Sequence, residues 1–131
     1  MSKTIVWIED DVDIIGSVVR PLERAGFKIV CLRNAKEVFD NVPKLQAADL
    51  ILLDMLLPEG GVNLELSRYT GLDIFRELKV THGLTTPVVA LTVVAREEVR
   101  KSLRELGVAD IIRKPVRPSE LKERIEQILT P

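Results

Sequence analysis

The sequence predicts an α/β protein in which helices cover both faces of a five-stranded parallel sheet. Short runs of aliphatic residues, typical of strands buried on both faces, alternate along the chain with longer segments whose apolar residues recur every three or four positions. That alternation favours parallel strands joined by right-handed helical crossovers. A length of 131 residues with 46% hydrophobic content suits one domain with its own core. We therefore expect a single domain over residues 1–131.

Five segments have the composition of buried strands, and each ends where polar residues begin. They are Thr4–Ile8, Phe27–Leu32, Leu50–Leu53, Val88–Leu91 and Asp110–Ile112. The third segment is a run of consecutive aliphatic residues that is too short for a helix and is followed by Asp54, so we expect it to be buried on both faces.

Helical periodicity marks the segments that separate or follow these strands. They are Ile14–Ala25, a short segment with Val38, Phe39 and Val42, then Gly71–Val80, a segment with Val99, Leu103 and Leu106, and a last one from Pro118 to Leu129. Each carries its apolar residues on one face, which predicts packing against the sheet.

Several residues are expected to set the helix boundaries. Asp13 and Asn34 are suited to cap the first two helices, and Gly26 is suited to stop the first. Pro21 predicts a kink in the first helix, and Pro43 is expected to end the second.

Charge and composition exclude several function classes. A net charge of -1 gives neither the basic surface of a nucleic-acid-binding domain nor a polybasic membrane patch. No apolar stretch approaches the ~18 residues of a membrane span, and Glu9 and Asp11 interrupt any signal-peptide core. We expect a cytoplasmic protein that binds neither membrane nor nucleic acid. The single cysteine, Cys31, lies in an apolar strand-like run and is expected to be a small core residue.

The predicted strands place acids, a hydroxyl and a lysine at one edge of the sheet, where ligands bind in folds of this kind. These residues are Glu9, Asp10 and Asp11 after the first strand, Asp54 after the third, Thr92 after the fourth and Lys114 after the fifth. Crowded carboxylates repel one another, and a hard divalent cation such as Mg²⁺ and the charge of Lys114 can compensate them. Such a set fits phosphoryl transfer to Asp54, because a carboxylate is a competent nucleophile.

Four segments in this order along the chain resemble the receiver domain of two-component response regulators. They are Ile8–Asp11, Leu50–Asp54, Ala90–Thr92 and Lys114–Pro115, and the resemblance extends from about Thr4 to Leu129. Each segment alone is common, but their ordered combination is specific. The resemblance implies a flavodoxin-like fold with strand order 2-1-3-4-5, and it commonly brings a cis peptide bond between the lysine and the proline.

The resemblance also implies a function and a role for each site residue. A sensor histidine kinase or phosphotransfer protein would donate a phosphoryl group to the aspartate, and the domain would then switch its conformation or its binding to a downstream protein or a second copy. It would catalyse only its own phosphorylation and dephosphorylation and would not otherwise be an enzyme. The implied roles are Asp54 as acceptor, Thr92 and Lys114 as ligands of the phosphoryl oxygens, and Glu9, Asp10, Asp54 and the backbone carbonyl of Leu56 as Mg²⁺ ligands.

The sequence departs from the family pattern at several positions. Ile111 replaces the usual Tyr or Phe, so the usual coupling of Thr92 to an aromatic ring does not carry over. Val93 replaces a usual Ala or Gly and would narrow access to the acceptor. An insertion at about residues 59–70 lengthens the loop after the acceptor strand, where it is either a lid or partner-contact element or a mobile spacer.

Two other functions remain open from the sequence. A haloacid-dehalogenase-type phosphohydrolase also uses an aspartate nucleophile after a strand, but it needs a second aspartate at the position of Leu56. A receiver-like interaction module that is never phosphorylated would fit Ile111 and Val93, whereas the complete set of acids, threonine and lysine disfavours it.

Overall fold

A computed structural model describes residues 2–9, 12–55, 70–92 and 96–130, with the backbone alone for residues 12–15 and 70. Over these ranges five parallel strands form one sheet in the order β2-β1-β3-β4-β5, as predicted. The strands are β1 Thr4–Ile8, β2 Lys28–Leu32, β3 Leu50–Asp54, β4 Val88–Thr92 and β5 Asp110–Arg113. The helices are α1 Val12–Arg24, α2 Ala35–Asp40, α3 Val42–Ala47, α4 Thr70–Val80, α5 Glu97–Glu105 and α6 Pro118–Leu129.

Helices cover both faces of the sheet. Because successive residues of a strand point to opposite sides, each strand contributes to the core on both faces. Val6 and Ile8 belong to an apolar cluster with α2, α3, α4 and α5. Ile5 and Trp7 belong to a second cluster, with α1 and α6. The central strands β3 and β4 are buried at every residue, which explains their continuous aliphatic sequences.

The strand register aligns the carboxyl ends of the sheet. Ile8 pairs with Leu53, so Glu9 and Asp54 follow directly on neighbouring strands. Asp54 pairs with Leu91 in β4, and Thr92 pairs with Arg113 in β5. The predicted polar residues that the structure describes therefore lie at one edge.

Some helix boundaries follow the sequence prediction. The side chain of Asn34 accepts a hydrogen bond of 2.9 Å from the backbone N–H of Glu37, so Asn34 caps α2. Gly26, in the turn that follows α1, has a φ of 98°, and Gly107, in the turn that follows α5, has a φ of 84°. Glycine adopts these left-handed conformations without the steric cost that other residues meet.

Three expectations were wrong. Asp13 lies inside α1, which begins at Val12, and is therefore not its capping residue. Pro43 does not end α2 but lies in the first turn of a separate helix, α3, which begins at Val42. A proline is accepted there because backbone N–H groups in a first turn have no partner within the helix. Cys31 is exposed, because β2 is an edge strand that pairs on one side only.

The insertion at about residues 59–70 lies outside the described residues, apart from Thr70, whose backbone begins α4. Within the described ranges, no helix has the length and apolar character needed to span a membrane.

Candidate functional site

Lys114 joins the ends of two other strands through ion pairs. Its Nζ lies 2.8 Å from Oε2 of Glu9 and 3.1 Å from Oδ1 of Asp54. The side chains of Glu9 and Asp54 are only 1% and 7% exposed, and that of Lys114 is 13% exposed. One ammonium group therefore pairs with two buried carboxylates, where a charge without a partner would be costly.

Backbone hydrogen bonds fix the segments that carry these side chains. The N–H of Glu9 donates to the carbonyl of Leu32 at 2.9 Å, which extends the pairing of β1 and β2 by one residue. The N–H of Lys114 donates to the carbonyl of Thr92 at 2.8 Å, which does the same for β5 and β4. The Lys114–Pro115 peptide bond is cis. Glu9 and Lys114 thus directly follow their strands and are held there by backbone hydrogen bonds to the neighbouring strands.

Burial and neighbouring charges shift the pKa of two groups in the site. Burial raises the pKa of Glu9 above its ordinary value; the hydrogen bond from Lys114 opposes the rise, and the neighbouring Asp54 adds to it. Burial alone would lower the pKa of Lys114, but its hydrogen bond to Glu9 and the charge of Asp54 outweigh that effect and raise it. The site therefore favours the charged form of Lys114 and disfavours the ionised form of Glu9.

Thr92 is the last residue of β4 and is only 2% exposed. Because β4 lies between β3 and β5, its end stands between the strand that carries Asp54 and the segment that carries Lys114. The structure thus brings Glu9, Asp54, Thr92 and Lys114 to one place.

Asp10 and Leu56, the other two predicted metal ligands, lie outside the described residues, as does Val93. Within the described ranges no three His, Cys, Asp or Glu side chains cluster as a metal site. The donor set nevertheless fits Mg²⁺, because Glu9 and Asp54 supply buried carboxylate oxygens, the kind of ligand that this cation prefers.

Gly71 is a site neighbour that sequence reasoning missed. Its N–H donates to the carbonyl of Met55 at 3.1 Å, and a Cβ built on it would lie 2.6 Å from Cα of Met55 and in contact with the carbonyl oxygen of Asp54. Helix α4 therefore begins directly against the backbone of the aspartate. The sequence indicates this close approach only through a glycine at the start of a predicted helix, a position where helix formation itself does not require glycine.

Fold and site together define a doubly wound α/β protein with paired acids and a lysine at the carboxyl edge of its sheet. Comparison with known proteins gives the family: the response regulator receiver domain matches residues 5–126. The chain belongs to this family, and its function is that of a receiver domain in phosphoryl-accepting signalling.

Relatives of known identity agree with this assignment. The chain is 30% identical to the transcriptional regulatory protein CrdR of Helicobacter pylori over 97% of its own length and 55% of that protein. It is also 30% identical to the transcriptional regulatory protein CpxR of Escherichia coli over 95% of its length and 48% of CpxR. The chain thus spans about half the length of these relatives.

A CheY-like response regulator receiver domain from Methanospirillum hungatei has the same fold. Its TM-score to this chain is 0.80 at 23% identity, and the match covers 98% of this chain and 94% of the other.

Proposed function

We propose that Asp54 accepts a phosphoryl group from a sensor histidine kinase or a phosphotransfer protein. The observation that carries this proposal is the contact of Lys114 with both Glu9 and Asp54 at the end of the sheet. Glu9, Asp10, Asp54 and the backbone carbonyl of Leu56 would hold Mg²⁺. Bound there, the metal would supply positive charge to the phosphoryl oxygens during transfer.

The chain's own residues account for the remaining chemistry. A carboxylate oxygen of Asp54 attacks the phosphorus, and a new O–P bond forms as the bond between phosphorus and the donor breaks. The distance of 3.1 Å between Lys114 and Asp54 supports a role for the lysine in holding an oxygen of the transferred group. The hydroxyl of Thr92 is suited to donate a hydrogen bond to another phosphoryl oxygen.

A route for the conformational switch starts from Thr92. Its carbonyl accepts the backbone hydrogen bond of Lys114, so a shift of Thr92 toward the phosphoryl group would move the end of β5 as well. Ile111 in β5 pairs with Ala90 and packs, partly buried, against the cluster that includes α5. Ile111 thus stands where receivers usually carry an aromatic switch residue. A shift at the end of β5 would alter the surface around this strand, and that surface would bind a downstream protein or a second copy.

Incubation with acetyl phosphate tests the proposal through the intact mass of the protein. We expect one added phosphoryl group with Mg²⁺ and none with EDTA. Asp54→Asn should abolish the adduct, whereas Asp40→Asn, which changes an exposed acid at the end of α2, should leave it unchanged. An unchanged adduct in Asp54→Asn would refute the assignment, and no adduct in the wild type would favour an interaction module that is never phosphorylated.

A further inference from the structure

Strand β2 forms one edge of the sheet and pairs only with β1. The N–H of Lys28 donates to the carbonyl of Lys3 at 2.9 Å, on the side of β1. Successive residues of a parallel strand turn their N–H and C=O groups alternately to its two sides, so those of Ile29 and Cys31 point away from β1. Among the described residues, no other backbone group bonds to them. The outer side of β2 can therefore pair with another strand.

A cleft of about 270 Å³ lies beside this edge, between the sheet and α3. Val6 and Val30 of the sheet and Ala47 and Ala48 at the end of α3 supply its apolar walls. Pockets that hold whole small molecules usually measure about 300–1,000 Å³. The smaller volume here suits a single apolar side chain.

Two lysines, Lys28 and Lys44, complete the charge of the cleft. Neither ammonium group forms an ion pair with a carboxylate of the described residues. Thr4 also lines the cleft, and its N–H donates at 2.7 Å to Oδ2 of Asp49, so that nearby acid is already engaged by the backbone. Positive charge beside an apolar pocket favours a segment that carries acids next to an apolar residue.

We propose that β2 and the cleft bind an extended acidic segment of a partner protein, which adds a strand to the sheet. Peptides that bind in this way gain affinity from main-chain hydrogen bonds and specificity from pockets for alternate side chains. Because every second residue of a strand lies on the same face, acids two positions before and after an apolar residue would lie near Lys28 and Lys44. This edge lies across the sheet from β5, and binding there requires no phosphorylation of Asp54.

The probe is the acetylated and amidated peptide TETLTET, whose leucine and glutamates share one face when it is extended. We expect it to shift the backbone N–H signals of Ile29 and Cys31 saturably in nitrogen-15 NMR spectra and to slow their hydrogen exchange. At low salt, TKTLTKT should bind about fivefold more weakly because its charges oppose those of the cleft. TETATET, which buries less apolar surface, should also bind about fivefold more weakly.

Matched variants separate the backbone contribution from that of charge. Cys31→Pro removes an outward N–H but no bond to β1, and it should weaken the binding of TETLTET about tenfold. Cys31→Ser keeps the N–H and should bind like the wild type. Lys44→Met should reduce the preference for TETLTET over TKTLTKT, whereas Lys36→Met, in an exposed ion pair on α2, should leave that preference unchanged.

Equal affinities of TETLTET and TKTLTKT for the wild type would overturn the proposal, even if Cys31→Pro does not fold. The absence of shifts at Ile29 and Cys31 would overturn it as well. Protection of these two amides in the protein alone, increasing with protein concentration, would show that a second copy occupies the edge and would equally refute an acidic partner.

Discussion

At the scale of single residues, Lys114 has the largest predicted effect on both stability and chemistry. Lys114→Met would leave Glu9 and Asp54 buried together without their cation. We expect the free energy of unfolding in metal-free buffer to fall by roughly 3 kcal/mol, measured by urea denaturation, since breaking a buried ion pair leaves an uncompensated charge. Phosphorylation by acetyl phosphate should slow at least tenfold, about 1.4 kcal/mol in the barrier.

Two comparisons separate this effect from a general loss of charge. Lys36→Met removes a lysine from an exposed ion pair with Asp40, and we expect no measurable change in stability. Adding Asp54→Asn to Lys114→Met should recover part of the loss, because it removes one of the two facing carboxylates. If the double variant is less stable than Lys114→Met, the lysine does not act by compensating these acids.

The lifetime of the phosphorylated state is a second prediction at this scale, and it rests on the sequence and the family resemblance. Leu56 and Val94 occupy the two positions that border the approach of water in receivers, and neither can hydrogen-bond a water molecule. We expect slow hydrolysis, measured with saturating Mg²⁺ by the decay of the phosphorylated mass. The double variant Leu56→Asn with Val94→Glu restores polar groups and should hydrolyse faster. A wild-type rate equal to or above that of the double variant would contradict this expectation.

At the scale of elements, a single substitution can test the close contact between α4 and the end of β3. Gly71→Ala would place a methyl group against the backbone of Asp54 and Met55, so the start of α4 must shift. We expect a loss of about 2 kcal/mol in the free energy of unfolding, together with slower phosphorylation of Asp54.

Gly16→Ala in α1 is the matched control, because nothing lies within 4 Å of its added Cβ. Alanine is the better helix former, so that variant should be more stable by about 0.5–1 kcal/mol. If Gly71→Ala behaves like Gly16→Ala, the close approach of α4 to the aspartate does not constrain the site.

The elements differ in how far sequence alone could predict them. The central strands β3 and β4 were predictable because burial on both faces demands a continuous aliphatic run. Pro43 misled the prediction because the same fixed φ that ends one helix also suits the first turn of the next. The exposure of Cys31 depends on β2 being an edge strand, which local composition does not encode.

At the scale of the whole molecule, the place of the site was predictable from topology, since parallel strands bring their carboxyl ends to one edge. The double pairing of Lys114 and the contact of Gly71 with β3 were not predictable, because they depend on distances between elements far apart in the chain. The roles of all the site residues, Asp10 and Leu56 included, and that of the insertion at about residues 59–70, stay predictions.

The central claim is that Asp54 is the residue that carries the phosphoryl group, and locating the modification tests it most directly. Borohydride reduces an aspartyl phosphate to homoserine, which marks the position permanently for peptide mass spectrometry. After incubation with acetyl phosphate and Mg²⁺, followed by reduction, we predict homoserine at position 54 and unmodified aspartate at every other aspartate in the chain. Homoserine at another aspartate, with position 54 unchanged, would contradict the account.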